Sequence, residues 1–260
     1  MSKQLSGKVV LITGAAVGIG RSTALLLADQ GASLVVADVN EKMGEQTVRE
    51  ASNRGSDAIF VKADISNTAD ISRLVSEALG RFGKIDALIN NAGTVLIADM
   101  EDTEEKEFDR VVEVNYKGAF FCSKAIIPVM KKQGGGVIVN IASVSAHIGQ
   151  PKHVAYAGTK GAVLSMTRAM AVELAPYNIR VNSVSPGAVD TPMLRSDMER
   201  QSKVRGLPLE EVRKEFSSES LMNRISDPEE IASVVAFLCS DKSSYMTGAD
   251  VLVDGGWVAK

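Results

Sequence analysis

The chain has 260 residues, 45% hydrophobic and 23% charged, with a formal net charge of −3. That length and composition suit one large α/β domain or two small ones, and the dispersed Lys and Arg leave no basic stripe for nucleic acid. No apolar run approaches the roughly 20 residues of a bilayer-spanning helix, and the opening MSKQLSGK lacks the apolar core of a secretory signal.

Val9 to Ile12 is a short apolar run that ends at a glycine turn, which predicts a strand buried on both faces. Gly14, Gly18 and Gly20 follow, and Arg21 to Gln30 reads as a helix. A strand feeding a glycine turn that opens a helix can bind phosphate, because glycine lets the backbone approach an anion and the first helical N–H groups point at it. The same stretch, taken alone, also suits a purely structural turn. The second strand, Ser33 to Ala37, ends at Asp38, 18 residues past Gly20. A carboxylate there can accept hydrogen bonds from an adenosine ribose and would repel a 2′-phosphate. Asp38 equally suits the N-cap of the helix Glu41 to Arg54.

The third strand is Ala58 to Lys62, with Asp64 and Ile65 just past its end. Ile71, Leu74, Val75, Ala78 and Leu79 give the helix Thr68 to Phe82 an apolar stripe. The fourth strand, Ile85 to Ile89, ends at Asn90-Asn91-Ala92-Gly93, which reads as a turn or as a ligand contact beside the first strand. Two helical patterns follow, Glu104 to Val114 and Tyr116 to Lys132, separated by Asn115. Asn115 and nearby Gly118 lower helix propensity, which suggests a reason other than folding; a buried, hydrogen-bonded Asn is the alternative.

The fifth strand, Val137 to Ile141, leads into Ser143, Val144 and Ser145. A long helix from Val154 to about Ala175 carries Tyr156 and Lys160 four residues apart, on one face. The strand Ile179 to Val184, a charged Met-rich stretch from Asp190 to about Ser226, the helix Pro228 to Cys239 and the strand Asp250 to Val253 finish the chain. Seven alternations of β and α predict a Rossmann-like, doubly wound parallel sheet with helices on both faces. Residues 1–260 read as a single domain, with a substrate lid around 190–226. Cys122 and Cys239, the only cysteines, form neither a C-x-x-C motif nor a disulfide framework. Reduced thiols and a cytoplasmic location are the default expectation.

Over essentially its whole length the sequence resembles the classical short-chain dehydrogenases/reductases. The matching motifs are Thr13-Gly14-x-x-x-Gly18-Ile19-Gly20, Asn90-Asn91-Ala92-Gly93, Asn115, Ser143, Tyr156-x-x-x-Lys160 and Pro186-Gly187. The resemblance implies hydride transfer between a nicotinamide cofactor and a secondary alcohol (a sugar, polyol or cyclic alcohol) or its ketone or lactone, with no metal. It implies Tyr156 as general acid/base, Lys160 as the cation that favours tyrosinate and holds the nicotinamide ribose, Ser143 as donor to the substrate oxygen, and Asn115 as anchor of a proton-relay water.

The same resemblance implies cofactor contacts from Gly14, Gly18, Ile19, Gly20, Asp38, Asp64, Ile65, Asn91, Tyr156, Lys160, Val189 and Thr191, and Asp38 implies NAD in preference to NADP. It also implies a homotetramer. The candidate substrate contacts are Ser143, Ser145, His147, Gln150, His153 and Tyr156, with exposed loop histidines as the alternative for His147 and His153. Met193, Leu194, Leu221 and Met222 offer the lid an apolar inner surface or serve ordinary helix packing, while the mixed charges of 195–215 suggest a solvated face. Thr159 and Ala142 depart from the residues common in relatives without removing a catalytic group. Two other readings remain: a 3-oxoacyl-thioester reductase, and an NAD-binding redox sensor without turnover.

Overall fold

Strand β1 (Val9–Thr13) is buried along its whole length. Its side chains alternate between two cores, as a strand's period of two requires. Val10 and Ile12 pack with Leu27, Ile231 and Val235 on one face, and Leu11 packs with Leu74, Ile126 and Leu174 on the other. Each such side chain contributes about 1.5–3 kcal/mol on burial. The chain is represented here by a computed structural model that describes residues 3–260; the N-terminal reading includes Met1 and Ser2, which lie outside the described residues.

The remaining elements are α1 (Gly18–Asp29), β2 (Ser33–Asp38), α2 (Glu41–Asn53), β3 (Ala58–Lys62), α3 (Thr68–Phe82), β4 (Ala87–Asn90), α4 (Glu105–Val112), α5 (Ala119–Gln133), β5 (Gly136–Ile141), α6 (Val154–Leu174), β6 (Ile179–Pro186), α7 (Pro192–Arg205), α8 (Leu209–Glu219), α9 (Pro228–Cys239) and β7 (Asp250–Val253). The seven strands form one sheet in the order β3-β2-β1-β4-β5-β6-β7, and every pairing is parallel. The chain winds outward from β1 to β3, then returns to β4 and winds the other way. The strand order therefore reverses between β1 and β4, and a crevice opens there beyond the carboxyl ends of the strands.

Local chemistry sets the helix ends. Asn40 accepts from the Met43 amide to cap α2, Asn67 caps α3 through Ala69, and Gly83, at φ +73°, closes α3 in the left-handed region. Glu230 reaches back to the Asp227 amide at 2.9 Å, ahead of Pro228 at the start of α9.

Three elements differ from the sequence expectation. Helix α1 begins at Gly18, not Arg21, so two of the three glycines lie inside its first turn. A Cβ on Gly20 would sit 2.2 Å from the Gly14 carbonyl oxygen, so only glycine lets the turn close this tightly. The two helical patterns around Asn115 join through a π-helical turn, Glu113–Gly118. The extra residue of that turn absorbs the propensity cost seen in the sequence, and Gly118 leaves room for Ile65, whose Cδ1 would be 2.5 Å from a Cβ there. The stretch after Asp190 folds as the pair α7 and α8 over a small core of Met198, Val212 and Ile225.

Candidate active site

The crevice at the strand-order reversal is a groove of about 450 Å³. Gly14, Gly18 and Ile19 lie along it, with Asp38 and Val39 on one side and Ser143, Tyr156 and Lys160 on another. The residue before α1, Val17, gives that helix no side-chain cap. Its first-turn N–H groups thus keep their positive character for an anion in the groove. Asn91 braces the turn from β4: its Nδ2 donates to the Thr13 and Gly14 carbonyls at 2.9 and 2.8 Å. Thr13 Oγ1 in turn accepts from the Asn91 and Ala92 amides at 3.1 Å each. An elongated groove with an uncapped helix start in its wall fits the pyrophosphate of a dinucleotide.

Asp38, at the tip of β2, does more than end a strand. One carboxylate oxygen accepts from the Ala16 amide and the other from the Asn40 amide, each at 2.9 Å. It therefore pins the glycine turn to β2, and Asn40, not Asp38, caps α2. Asp64 accepts from the Ser66 amide at 2.9 Å and hydroxyl at 2.6 Å, and from Arg110 at 3.4 Å. Partial burial pushes its carboxyl up, but the Ser66 bonds and the Arg110 charge outweigh this and hold it below the usual range. Ile65 is buried beside it.

Across the groove, α6 presents Tyr156 and Lys160 side by side, with the Lys160 ammonium 5.8 Å from the Tyr156 ring centroid. Lys160 donates to the Ile141 carbonyl at 2.8 Å, and its burial pushes its pKa down to about 8. Burial pushes the Tyr156 phenol above its ordinary value, and a hydrogen bond with Ser143 acts in the opposite sense. Ser143 follows β5, its Oγ 3.2 Å from Ser145 Oγ and accepting from the Ser145 amide at 3.2 Å. Asn115 occupies the π-helical turn behind Lys160. Its Oδ1 accepts from the Thr94 amide and its Nδ2 donates to the Thr94 carbonyl, both at 2.8 Å. The strand end beside Lys160 is thus held by one amide side chain.

Val189 is buried in a bridge to Ser226, and Thr191 caps α7 by accepting from the Leu194 amide. Both line the groove. Of the candidate substrate residues, Ser143, Ser145, Gln150, His153 and Tyr156 line it as well. His147 does not. Its Nε2 lies 3.0 Å from Asp250 Oδ2 and 3.2 Å from Ser185 Oγ, which ties the segment after Ser143 to β6 and β7. Met193 and Leu194 face the groove, whereas Leu221 and Met222 are 58% and 64% exposed. The charges of the 190–215 stretch pair among themselves as Arg195–Asp190, Arg200–Asp197 and Arg205–Glu215.

Several site residues escaped the sequence reading. Thr159 Oγ1 accepts from Asn115 at 3.1 Å and donates to the Tyr156 carbonyl at 2.7 Å, linking the π-helical turn to the tyrosine's own helix. Its place directly before Lys160, where it departs from the residue common in relatives, was the one available signal. Val95, Ile97, Phe216 and Trp257 complete an apolar wall; they come from distant parts of the chain, and no local pattern marks them. Among the described residues, no group of three or more His, Cys, Asp or Glu could hold a metal, and no helix is long and apolar enough to cross a membrane.

Comparison with known proteins agrees with this fold. Residues 14–258 match the family model described as Enoyl-(Acyl carrier protein) reductase. The cyclopentanol dehydrogenase of Comamonas sp. (strain NCIMB 9872) is 38% identical over 98% of this chain and 99% of its own. The crystal structure of levodione reductase superposes with a TM-score of 0.94 at 36% identity, covering 98% of this chain and 99% of that one. The 3-ketoacyl-(acyl-carrier-protein) reductase of Brucella melitensis complexed with NADH does so with a TM-score of 0.88 at 39% identity, covering 98% and 99%. The fold, the motif order and these matches together show that the chain belongs to the short-chain dehydrogenase/reductase family, as an oxidoreductase acting on CH–OH groups.

Proposed function

We propose that the protein is an NAD-dependent dehydrogenase that interconverts a small cyclic secondary alcohol and its ketone. The observation that carries this reading is the meeting of Ser143, Tyr156 and Lys160 in a groove whose other end holds Asp38. An acidic side chain at that end suits the two ribose hydroxyls of NAD and repels the 2′-phosphate of NADP. Val39 beside it supplies no positive charge to compensate. The NADH complex of the Brucella melitensis relative supports the same cofactor, and the cyclopentanol dehydrogenase of Comamonas supports the substrate class.

In this reading the bound nicotinamide supplies the hydride acceptor. Gly14, Gly18, Ile19 and Gly20 hold the pyrophosphate, Asp64, Ile65 and Asn91 flank the adenine, and Val189 and Thr191 hold the carboxamide end. Ser143 donates to the substrate oxygen and Tyr156 takes the hydroxyl proton. Lys160 offsets the desolvation that keeps Tyr156 protonated and passes the proton toward Asn115 and solvent. Val95, Ile97, Leu194, Phe216 and Trp257 exclude water from the reacting carbon. Residues 1–260 act as one domain in which α7 and α8 serve as the lid. Assembly as a homotetramer belongs to the same reading and is supported by exposed Met100, Phe108 and Val154 beside an apolar groove between α4 and α6.

The test is the rate of NADH formation from cyclopentanol and cyclohexanol, with NADP in parallel. Turnover with NAD and little with NADP supports the reading; absence of turnover with both alcohols and with their 1,2-diols contradicts it. The relationship to a 3-ketoacyl-(acyl-carrier-protein) reductase favours a second reading, reduction of a 3-oxoacyl thioester. NADH oxidation by such a thioester, without turnover of either alcohol, selects it.

A further inference from the structure

Most of the groove beyond Tyr156 is apolar, but one corner is not. Gln150 stands there, and the Ser145 hydroxyl donates to its Oε1. In this orientation Nε2 is the outer end of the amide. The Nε2 group, with two N–H donors, has no partner among the described residues, and Gln150 lines the groove. His153 stands three residues on. Its Nδ1 lies 2.7 Å from the Pro151 carbonyl oxygen. A carbonyl only accepts, so Nδ1 carries the proton and Nε2 of the neutral ring is left as an acceptor. Nε2 likewise has no partner among the described residues, and the ring lies edge-on to Tyr156 at a centroid distance of 6.2 Å.

The corner therefore offers donors from Gln150 and an acceptor from His153, on the side of Ser143 reached through Ser145. Ser143 Oγ and Ser145 Oγ are 3.2 Å apart, so the Gln150 amide stands two hydrogen bonds from the group that holds the reacting oxygen. A ketone or ether oxygen could use only the donors, and a carboxylate would meet the His153 lone pair. A hydroxyl both donates and accepts, and so uses the whole corner. Asp197, a carboxylate in the groove wall, is engaged by Arg200 and Gln201 and does not compete.

Resting on the alcohol dehydrogenase reading above, we propose that the substrate is a diol: Gln150 and His153 recognise a second hydroxyl one or two carbons from the carbon that is oxidised. The C–H hydride leaves to NAD and the O–H proton to Tyr156, giving NADH, one proton and a hydroxyketone. The second hydroxyl accepts from Gln150 Nε2, donates to His153 Nε2 and is unchanged. A pocket that hydrogen-bonds a hydroxyl rejects the analogue without it, because its own polar groups are then left unpaired.

The experiment compares kcat/KM with NAD for cyclopentanol, cyclohexanol and the cis and trans isomers of cyclopentane-1,2-diol and cyclohexane-1,2-diol. The better diol isomer is expected to exceed its mono-alcohol by about tenfold or more. Within each of Gln150→Leu, Gln150→Glu and His153→Phe, that ratio falls toward one, read as a ratio so that any general loss of rate cancels. NADH binding to each variant shows that it has folded. A wild-type ratio near one, or a ratio that survives in all three variants, overturns the diol assignment and leaves the alcohol reading standing. No NADH from any of these alcohols overturns both.

Discussion

The Lys160 ammonium rests 2.8 Å from the carbonyl oxygen of Ile141, the last residue of β5, in an enclosure from which water is almost excluded. One backbone oxygen is its only hydrogen-bond partner among the described residues, so the cation is held but not neutralised. That is the state in which it can lower the cost of a tyrosinate next to it. The same arrangement burdens the fold, because a buried cation without a counter-ion disfavours the folded state.

Lys160→Met should therefore abolish turnover and raise stability. In the folded chain Lys160 titrates at about 8, against an ordinary value of 10.5, so between these values the unfolded chain binds the extra proton. Wild-type stability then rises as pH climbs from 8 to 10.5, and the full burden is present below 8. The shift corresponds to about 3 kcal/mol, and leaving the Ile141 carbonyl unpaired takes back about 1–2 kcal/mol. The variant should melt about 2–8 °C above wild type at neutral pH, with the gap closing and then reversing as pH approaches 10.5. Thermal melts of both proteins across that range check the sign; a gap that widens with pH contradicts it.

Asp38→Ala should narrow the preference for NADH over NADPH, and Asp38→Ala with Val39→Arg should reverse it, measured as dissociation constants by cofactor fluorescence. Asp38 also holds the Ala16 amide, so the single variant should weaken NADH binding as well, by about tenfold for one charge-assisted hydrogen bond. An unchanged ratio of the two constants would remove Asp38 from the ribose site.

Asn115→Leu should cost about 2–4 kcal/mol in denaturant unfolding, because the Thr94 amide and carbonyl both lose their partner in a partly buried site. Thr159→Val removes one bond to the same side chain and should cost about 1 kcal/mol. Because the two residues share a bond, the double variant should lose less than the two costs added together. Additive costs would show that the link between the π-helical turn and α6 carries no energy.

How much was legible follows from how local each signal is. The strand, glycine turn and helix around Gly14 are contiguous, and the four-residue spacing of Tyr156 and Lys160 places both on one helix face by geometry alone. Asn115 betrayed itself as a helix-disfavouring residue between two helical patterns, although the π-helical turn that accommodates it did not. Pairings across the sheet were invisible. His147 looked like a pocket residue because it lies between Ser143 and Tyr156, yet its ring is claimed by Asp250, 103 residues away. The bond from the Ala16 amide to Asp38 depends on β1 and β2 lying side by side, and Phe216 and Trp257 reach the groove only once α8 and the C-terminal segment have folded beside it. The start of α1 was placed late because glycine is a poor helix former on propensity, whereas here close backbone approach decides the matter.

In the proposed reaction Tyr156 moves the alcohol proton in a nicotinamide-dependent oxidation. The direct measurement is NADH formation from cyclopentanol or its 1,2-diol by wild type and Tyr156→Phe, with NADH binding measured on both. The account predicts turnover by wild type, a loss of about a hundredfold or more in Tyr156→Phe, and NADH binding retained by the variant. Turnover undiminished in Tyr156→Phe would contradict it.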